Sequence, residues 1–461
     1  MKTNRPAAVN TPETHEGGTA GRQTPLVELE RAVSTCLLWE NTFYEKGSEI
    51  AQRMADLCDR CEIADIATLA VKARTDLKLR HVPLFLVCQM IRVNSAAKMK
   101  SPLVAQTIQA VVQRADEMAE LLSLYWRDGK KPLAASLKRG LAAVFPKFSA
   151  FQLAKWNRDS EIKLRDVLFL ARPKSKDAEQ VETWRKLVEG TLEAPDTWEV
   201  ALSAGADKKA TWERLLREEK LGYMALLMNL RNMAAVGVES GLVESALSAG
   251  APNSRALPFR FLTAAKHAPQ FSQALSDAMC SAVTERMPGR TLMVIDVSGS
   301  MEQVLSSKST TSRLDAASAL AVLLREMTPE CRTFTFSDSL VEVQNWRGLP
   351  LVTGIARSQD HGGTRLAQAL ITLKAHVPAT DRLVVVTDEQ SHDGMVPGWG
   401  HWNYLINVGS YQPGLDVSGG WTRINGWSER VVEWMRMEEA ELLPSSVTLE
   451  PPHKEPDHQP H

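Results

Sequence analysis

Three short segments of this chain end in side-chain oxygens that a hard divalent cation could use. Asp296, Ser298 and Ser300 alternate where the apolar run 291–297 gives way to Ser-Gly-Ser. Thr364 follows two glycines in His361-Gly-Gly-Thr364, and Asp388 closes a second apolar run, 383–387. Hydroxyl and carboxylate oxygens suit Mg²⁺, or Mn²⁺ in its place, because such an ion takes oxygen ligands and keeps positions for water or a partner group. His361, His392 and Asp393 stand beside these segments and read as loop residues, not further ligands. Cys58 and Cys61 lack a second ligand pair nearby, so incidental thiols are favoured over a zinc site. No nucleophile–base pair, phosphate loop or redox motif is evident, and the expectation is a binding protein, not an enzyme.

A second set of residues is basic. The chain has a net charge of −1, yet residues 291–461 sum to −8 and residues 1–290 to +7. Residues 121–176 hold 13 Lys and Arg against 4 Asp and Glu. An unbalanced cluster of this kind is the electrostatic footprint of a phosphate-backbone binder. Its candidate contacts are Lys138, Arg139, Lys147, Lys155, Arg158, Lys163, Arg165, Arg172 and Lys174. Lys and Arg neutralise phosphates and release counterions, and Arg also forks onto phosphate oxygens and stacks on bases. Phe148, Phe151 and Trp156 interleave with these charges. The spacing of the two phenylalanines at a helix start favours core positions over base platforms.

The elements that must position these groups fall into two kinds. Residues 26–286 show apolar positions at helical spacing almost throughout, with expected helices that include 84–93, 104–124, 132–144, 150–157, 178–190, 198–204, 208–218 and 223–236. They read as stacked helix pairs of the HEAT kind, without a clean repeat period. Residues 291–448 instead alternate short apolar strands (291–297, 333–336, 341–345, 383–387, 404–408) with helices (312–327, 365–375, 428–437), the pattern of a doubly wound α/β domain. All three oxygen-bearing segments fall at strand carboxyl ends, where such sheets bind ligands. Residues 1–25 read as a polar, flexible arm and 449–461 as a disordered tail.

Hydrophobic residues make up 44% and charged residues 24% of the 461, as in ordinary globular proteins. No apolar run approaches the roughly 20 residues of a membrane span. Six sparse cysteines and a polar start favour a reduced, cytoplasmic chain.

Asp296-x-Ser298-x-Ser300, then Thr364, then Asp388 resembles the metal-ion-dependent adhesion site (MIDAS) of von Willebrand factor A domains. The resemblance implies Ser298 and Ser300 as direct ligands, Thr364 as a direct or water-mediated one, and Asp296 and Asp388 as holders of coordinated water. The segments 140–156, 163–174 and 225–233 resemble the TROVE module of the Ro ribonucleoproteins, as does Gly17-Gly18. The order TROVE and then von Willebrand A, over about 26–448, is that of the Ro family. Where that family often has His-Lys before the Asp of its Asp-Val-Leu segment, this chain has Leu164-Arg165, which puts Y RNA specificity in doubt.

The resemblance implies a helical ring closed by the α/β domain. It also implies RNA partners: Y RNA-like small RNAs on the outer surface and single-stranded 3′ ends of misfolded RNAs in the hole, for quality control or presentation to an exoribonuclease. The protein would be a monomer without a membrane role. The alternative is a protein-interaction scaffold, in which the metal site takes an acidic partner and RNA binding is incidental.

Overall fold

The computed structural model describes residues 24–35, 47–97, 101–157, 159–254, 256–305, 311–389, 391, 393–409, 420–426 and 428–442. All but the last two residues of the expected arm, the whole tail 449–461, Cys36, Arg158 and His392 lie outside the described residues.

The first series of helices is α1 (Pro25–Thr35), α2 (Gly47–Cys58), α3 (Ile63–Thr75), α4 (His81–Ala96), α5 (Leu103–Val111), α6 (Asp116–Tyr125), α7 (Ala135–Val144), α8 (Ala150–Trp156), α9 (Leu164–Ala171) and α10 (Ala178–Glu189). They stack in two rows. Helix α3 packs on α5, α5 on α7 and α7 on α9, while α2 packs on α4 and α4 on α6. Each helix therefore buries its apolar stripe against the next pair, as in a solenoid. Helix α4, apolar on nearly every side, is the most deeply enclosed.

The single helix expected over 104–124 is two. Glu117, fully buried, turns the chain between α5 and α6: its Oε2 accepts the amides of Gln113 (2.8 Å) and Arg114 (3.0 Å). Its other oxygen meets Arg74 at 2.6 Å. A buried carboxylate satisfied in this way outweighs the continuous helical pattern.

A second series follows: α11 (Trp198–Ser203), α12 (Lys208–Arg217), α13 (Tyr223–Ala235), α14 (Ser240–Gly250), α15 (Pro258–His267) and α16 (Ser272–Ser281). Here α12 packs on α14, α14 on α16 and α13 on α15. The apolar core changes at the joint between the series. The buried apolar cluster of the first series ends at Leu187, and that of the second series is a separate one that begins at Trp212.

The α/β part comprises β1 (Arg290–Asp296), α17 (Arg313–Met327), β2 (Glu330–Phe336), β3 (Leu340–Val343), α18 (Gly348–Ala356), α19 (Leu366–His376), β4 (Thr380–Thr387), β5 (Gly400–Asn407), β6 (Thr422–Asn425) and α20 (Arg430–Leu442). The sheet order is β3-β2-β1-β4-β5-β6, parallel except for the edge strand β3. Helix α18 was not expected from its sequence, which mixes Gly, Pro and β-branched residues. It forms because Leu351 and Ile355 find buried positions. Gly348 begins it at φ 57°, where an added Cβ would meet Ser276 Oγ at 2.4 Å.

Side chains alternate across the strands. Leu292, Val294, Leu383 and Val385 face α19, whereas Met293, Ile295, Val384 and Val386 share a core with α12–α16, α17 and α20. The doubly wound arrangement is therefore present, but one face of the sheet belongs to the helical rows. Helix α15 packs on α17 and α16 on α18, so these two helices continue the stack. At the other end α1 packs on α20 and β6, with the Arg31 guanidinium 5.7 Å from the Trp434 ring centroid. These contacts run from the second series through the α/β part to α1, and the segment 190–197 links the first series to the second along the chain. Among the described residues no helix is long and apolar enough to cross a membrane.

Glu429, just before α20, anchors the junction with the second series. Its carboxylate accepts the Phe259 amide at 2.7 Å, at the start of α15. Burial pushes the Glu429 carboxyl up to about 7. An acid whose folded pKa lies above its unfolded value holds its proton longer when folded. Stability is then lost as pH rises from the usual glutamate range towards 7. The expected loss is on the order of 3 kcal/mol. Urea denaturation at pH 5 and pH 8 should show this fall in the parent and a smaller one in Glu429→Gln; equal falls would exclude Glu429 as the cause.

Candidate metal centre and basic face

Strands β1 and β4 lie side by side in parallel register, so their carboxyl ends deliver Asp296 and Asp388 to the same edge of the sheet. Asp296 is fully buried and held at both oxygens. Its Oδ1 accepts the Ser298 amide (2.9 Å) and its Oδ2 accepts the Thr387 hydroxyl (2.6 Å). Burial pushes its carboxyl up to about 6, opposed by the Ser298 and Thr387 hydrogen bonds and assisted by the nearby Asp388 charge.

Ser298 Oγ and Ser300 Oγ are 3.2 Å apart. Neighbouring corners of a Mg²⁺ octahedron, at bond lengths near 2.1 Å, are separated by roughly 3 Å. The hydroxyl pair therefore fits a common ion. Thr364 is buried on the second loop, and a Cβ on Gly299 would lie 3.6 Å from the His361 carbonyl, so the first two loops abut.

The glycines before Thr364 have a packing reason. A Cβ on Gly362 would sit 2.1 Å from Asp338 Oδ2, and one on Gly363 2.7 Å from Asp338 Oδ1. Asp338 also accepts the Gly363 amide at 3.0 Å. His361 is not free to ligate: Nδ1 meets Glu302 at 2.8 Å and Nε2 meets the Ala356 carbonyl at 3.1 Å. Asp393 accepts the amides of Ala367 (3.0 Å) and Gln368 (2.9 Å), and so caps α19. Both sit beside the motif as structural groups, in agreement with the sequence reading.

One residue at this site was not singled out from the sequence. Arg313, at the first turn of α17, is 1% exposed, and its Nη1 lies 2.6 Å from Asp388 Oδ2 and 3.2 Å from the Ser300 carbonyl oxygen. The available signal was a basic residue at the start of a helix that is otherwise charged only at Asp315, Arg325 and Glu326.

The basic cluster occupies α7, α8, α9 and the turns between them. Helix α9 packs on α7, and α8 and α9 both pack on α10. Arg139, Lys155, Arg165, Arg172 and Lys174 are exposed and Lys138 is half-buried. Among the described residues, none of these six forms a salt bridge with a described acid.

Two other candidates have local tasks. Lys147 donates to the Gln109 carbonyl, and burial lowers its pKa. Lys163 pairs with Asp159 at 2.7 Å.

The aromatic residues divide differently from expectation. Phe148 is buried as expected, but Phe151 is 52% exposed, with Lys155 Nζ 5.9 Å from its ring centroid. It lies on the outer side of a helix whose only buried residue is Leu153. Phe169, one turn after Arg165, is 59% exposed and was not singled out from the sequence. Trp156 is half-buried under Arg114, whose guanidinium carbon is 3.5 Å from the ring centroid.

Comparison with known proteins finds two family matches. Residues 190–319 match the TROVE domain, and residues 290–399 match the Ro60 vWA domain. The basic cluster lies before the first of these matched regions. A 78-residue segment, 16% of this chain, is 38% identical to telomerase protein component 1 of Mus musculus and 37% identical to that of Rattus norvegicus. It spans 3% of each of those proteins. The Deinococcus radiodurans Ro (RSR) protein has the same fold, with a TM-score of 0.62 at 18% identity over 89% of this chain and 98% of that one. The matches follow the order TROVE and then Ro60-type von Willebrand A over residues 190–399, and with the fold of a Ro protein they make this chain similar to the Ro family.

Proposed function

We propose that the chain is a non-enzymatic, cytoplasmic RNA-binding protein that takes small structured non-coding RNAs and RNAs with single-stranded 3′ ends. The observation that carries this reading is the set of six basic side chains on α7–α9, without salt bridges to described acids, beside the exposed rings of Phe151 and Phe169. Charges of this kind neutralise phosphates without reading sequence, and exposed aromatic faces accept unpaired bases. Similarity to the Ro family supports the same ligand class. Y RNA-like molecules are the proposed structured partners, and an exoribonuclease the proposed recipient of bound ends.

The α/β domain adds a second role. Ser298, Ser300 and Thr364 would hold Mg²⁺ or Mn²⁺, with Asp296 and Asp388 steadying its waters. The ion would supply an electrophilic position for a carboxylate from an acidic protein partner.

A structured RNA with and without a single-stranded 3′ tail, titrated across a salt series, tests the RNA reading. Tail-dependent binding that weakens steeply with salt is expected. Lys138→Glu with Arg139→Glu should weaken it and make the salt slope shallower, whereas Ser298→Ala with Ser300→Ala should leave it unchanged. Absence of binding at low salt would instead favour a metal-dependent protein scaffold.

The two rings give a separate prediction. Phe151→Ala and Phe169→Ala should each weaken binding of the tailed RNA by about 1–3 kcal/mol, the range for a base–aromatic stack. Because both rings are exposed, unfolding stability should move by no more than about 0.5 kcal/mol. Unchanged affinity in both variants would remove the rings from the interface.

A further inference from the structure

The Arg313–Asp388 pair lies inside the proposed metal site. Both side chains are buried, and a buried guanidinium remains charged and is tolerated only with a close counter-charge. Four segments build the pair. Arg313 comes from the start of α17, Asp388 from the end of β4, and the Ser300 carbonyl from the loop after β1. The fourth is Gly409, just after β5: a Cβ there would lie 2.6 Å from Asp388 Cβ and 3.5 Å from Arg313 Cζ. A side chain at 409 would therefore displace the pair. The fold leaves room for it.

We propose that Arg313 is a resident cation of this site. Its guanidinium holds Asp388 and the first loop together without metal, and a divalent ion binds against that charge. This inference rests on the metal reading above and adds its regulation. With Arg313 present, the carboxylates of Asp296 and Asp388 leave one net negative charge to meet a doubly charged ion; without it they leave two. The neutral hydroxyls of Ser298, Ser300 and Thr364 cannot make up the difference. Metal affinity is consequently low, and the loops keep their shape when the ion leaves. When an ion is bound beside the guanidinium, the combined positive charge favours an acidic partner.

The test uses the full-length protein, with Mn²⁺ titration calorimetry and thermal unfolding in EDTA or Mg²⁺. The parent should unfold in EDTA only slightly below its temperature in Mg²⁺, by the small increment that weak binding adds. Arg313→Met, which keeps length and loses charge, should bind Mn²⁺ about tenfold or more tightly, the scale on which one neighbouring charge shifts proton binding. Its lowered Tm in EDTA should recover in Mg²⁺. Arg313→Lys, which keeps the charge, should bind Mn²⁺ like the parent.

A parent that depends on the ion for its fold, unfolding in EDTA far below its temperature in Mg²⁺, overturns the proposal, and this arm decides even where Arg313→Met does not fold. So does an Arg313→Met protein that binds Mn²⁺ no more tightly than the parent. Ser298→Ala with Ser300→Ala, in the parent and Arg313→Met backgrounds, separates the two readings. If it removes Mn²⁺ binding while Arg313→Met brings no gain, only the role of Arg313 fails. If it changes nothing in either background, the metal reading itself fails.

Discussion

The architecture depends on one apolar sheet face that cannot be left to solvent. Met293, Ile295, Val384 and Val386 project from the centre of a parallel sheet and need cover along their whole length. Helices α17 and α20 provide it, but they also serve as packing partners for α15 and α1. One layer of helices thus belongs to two structures at once. The solenoid gains an end cap, and the sheet gains a wall it could not obtain from its own crossover helices alone.

That sharing orders the rest. Because α17 is fixed by the stack, its first turn is fixed too, and Arg313 is carried to the carboxyl end of β4. Parallel pairing of β1 with β4 then brings Asp296 and Asp388 together without any direct contact between their loops being required. The strand ends that carry Asp296 and Asp388 and the basic helices occupy separate parts of the chain. Charge follows the same division: the basic excess sits in the helical rows and the acidic excess in the α/β part.

Much of this was legible before any coordinates. Period-two and helical patterning located the sheet and most helices, because one-sided burial writes itself directly into sequence. Two of the oxygen-bearing segments were legible because they end strands β1 and β4; Thr364, expected at a strand end too, lies instead on the loop between α18 and α19. What escaped notice depends on distant partners. The break between α5 and α6 comes from Glu117 meeting Arg74, 43 residues away. Arg313 reads as an ordinary helix-start residue until Asp388, 75 residues on, is placed beside it. Phe151 looked like core by spacing, and Phe169 was not singled out; only the location of α10 shows which side of α8 and α9 is covered.

The change of core between α10 and α12 has a consequence for synthesis. Every buried apolar residue of the first cluster lies between Leu29 and Leu187, so that half can condense as soon as those residues have left the ribosome. The second cluster runs from Trp212 to Met435 and stays incomplete until α20 emerges. The basic helices are therefore assembled well before α20 emerges.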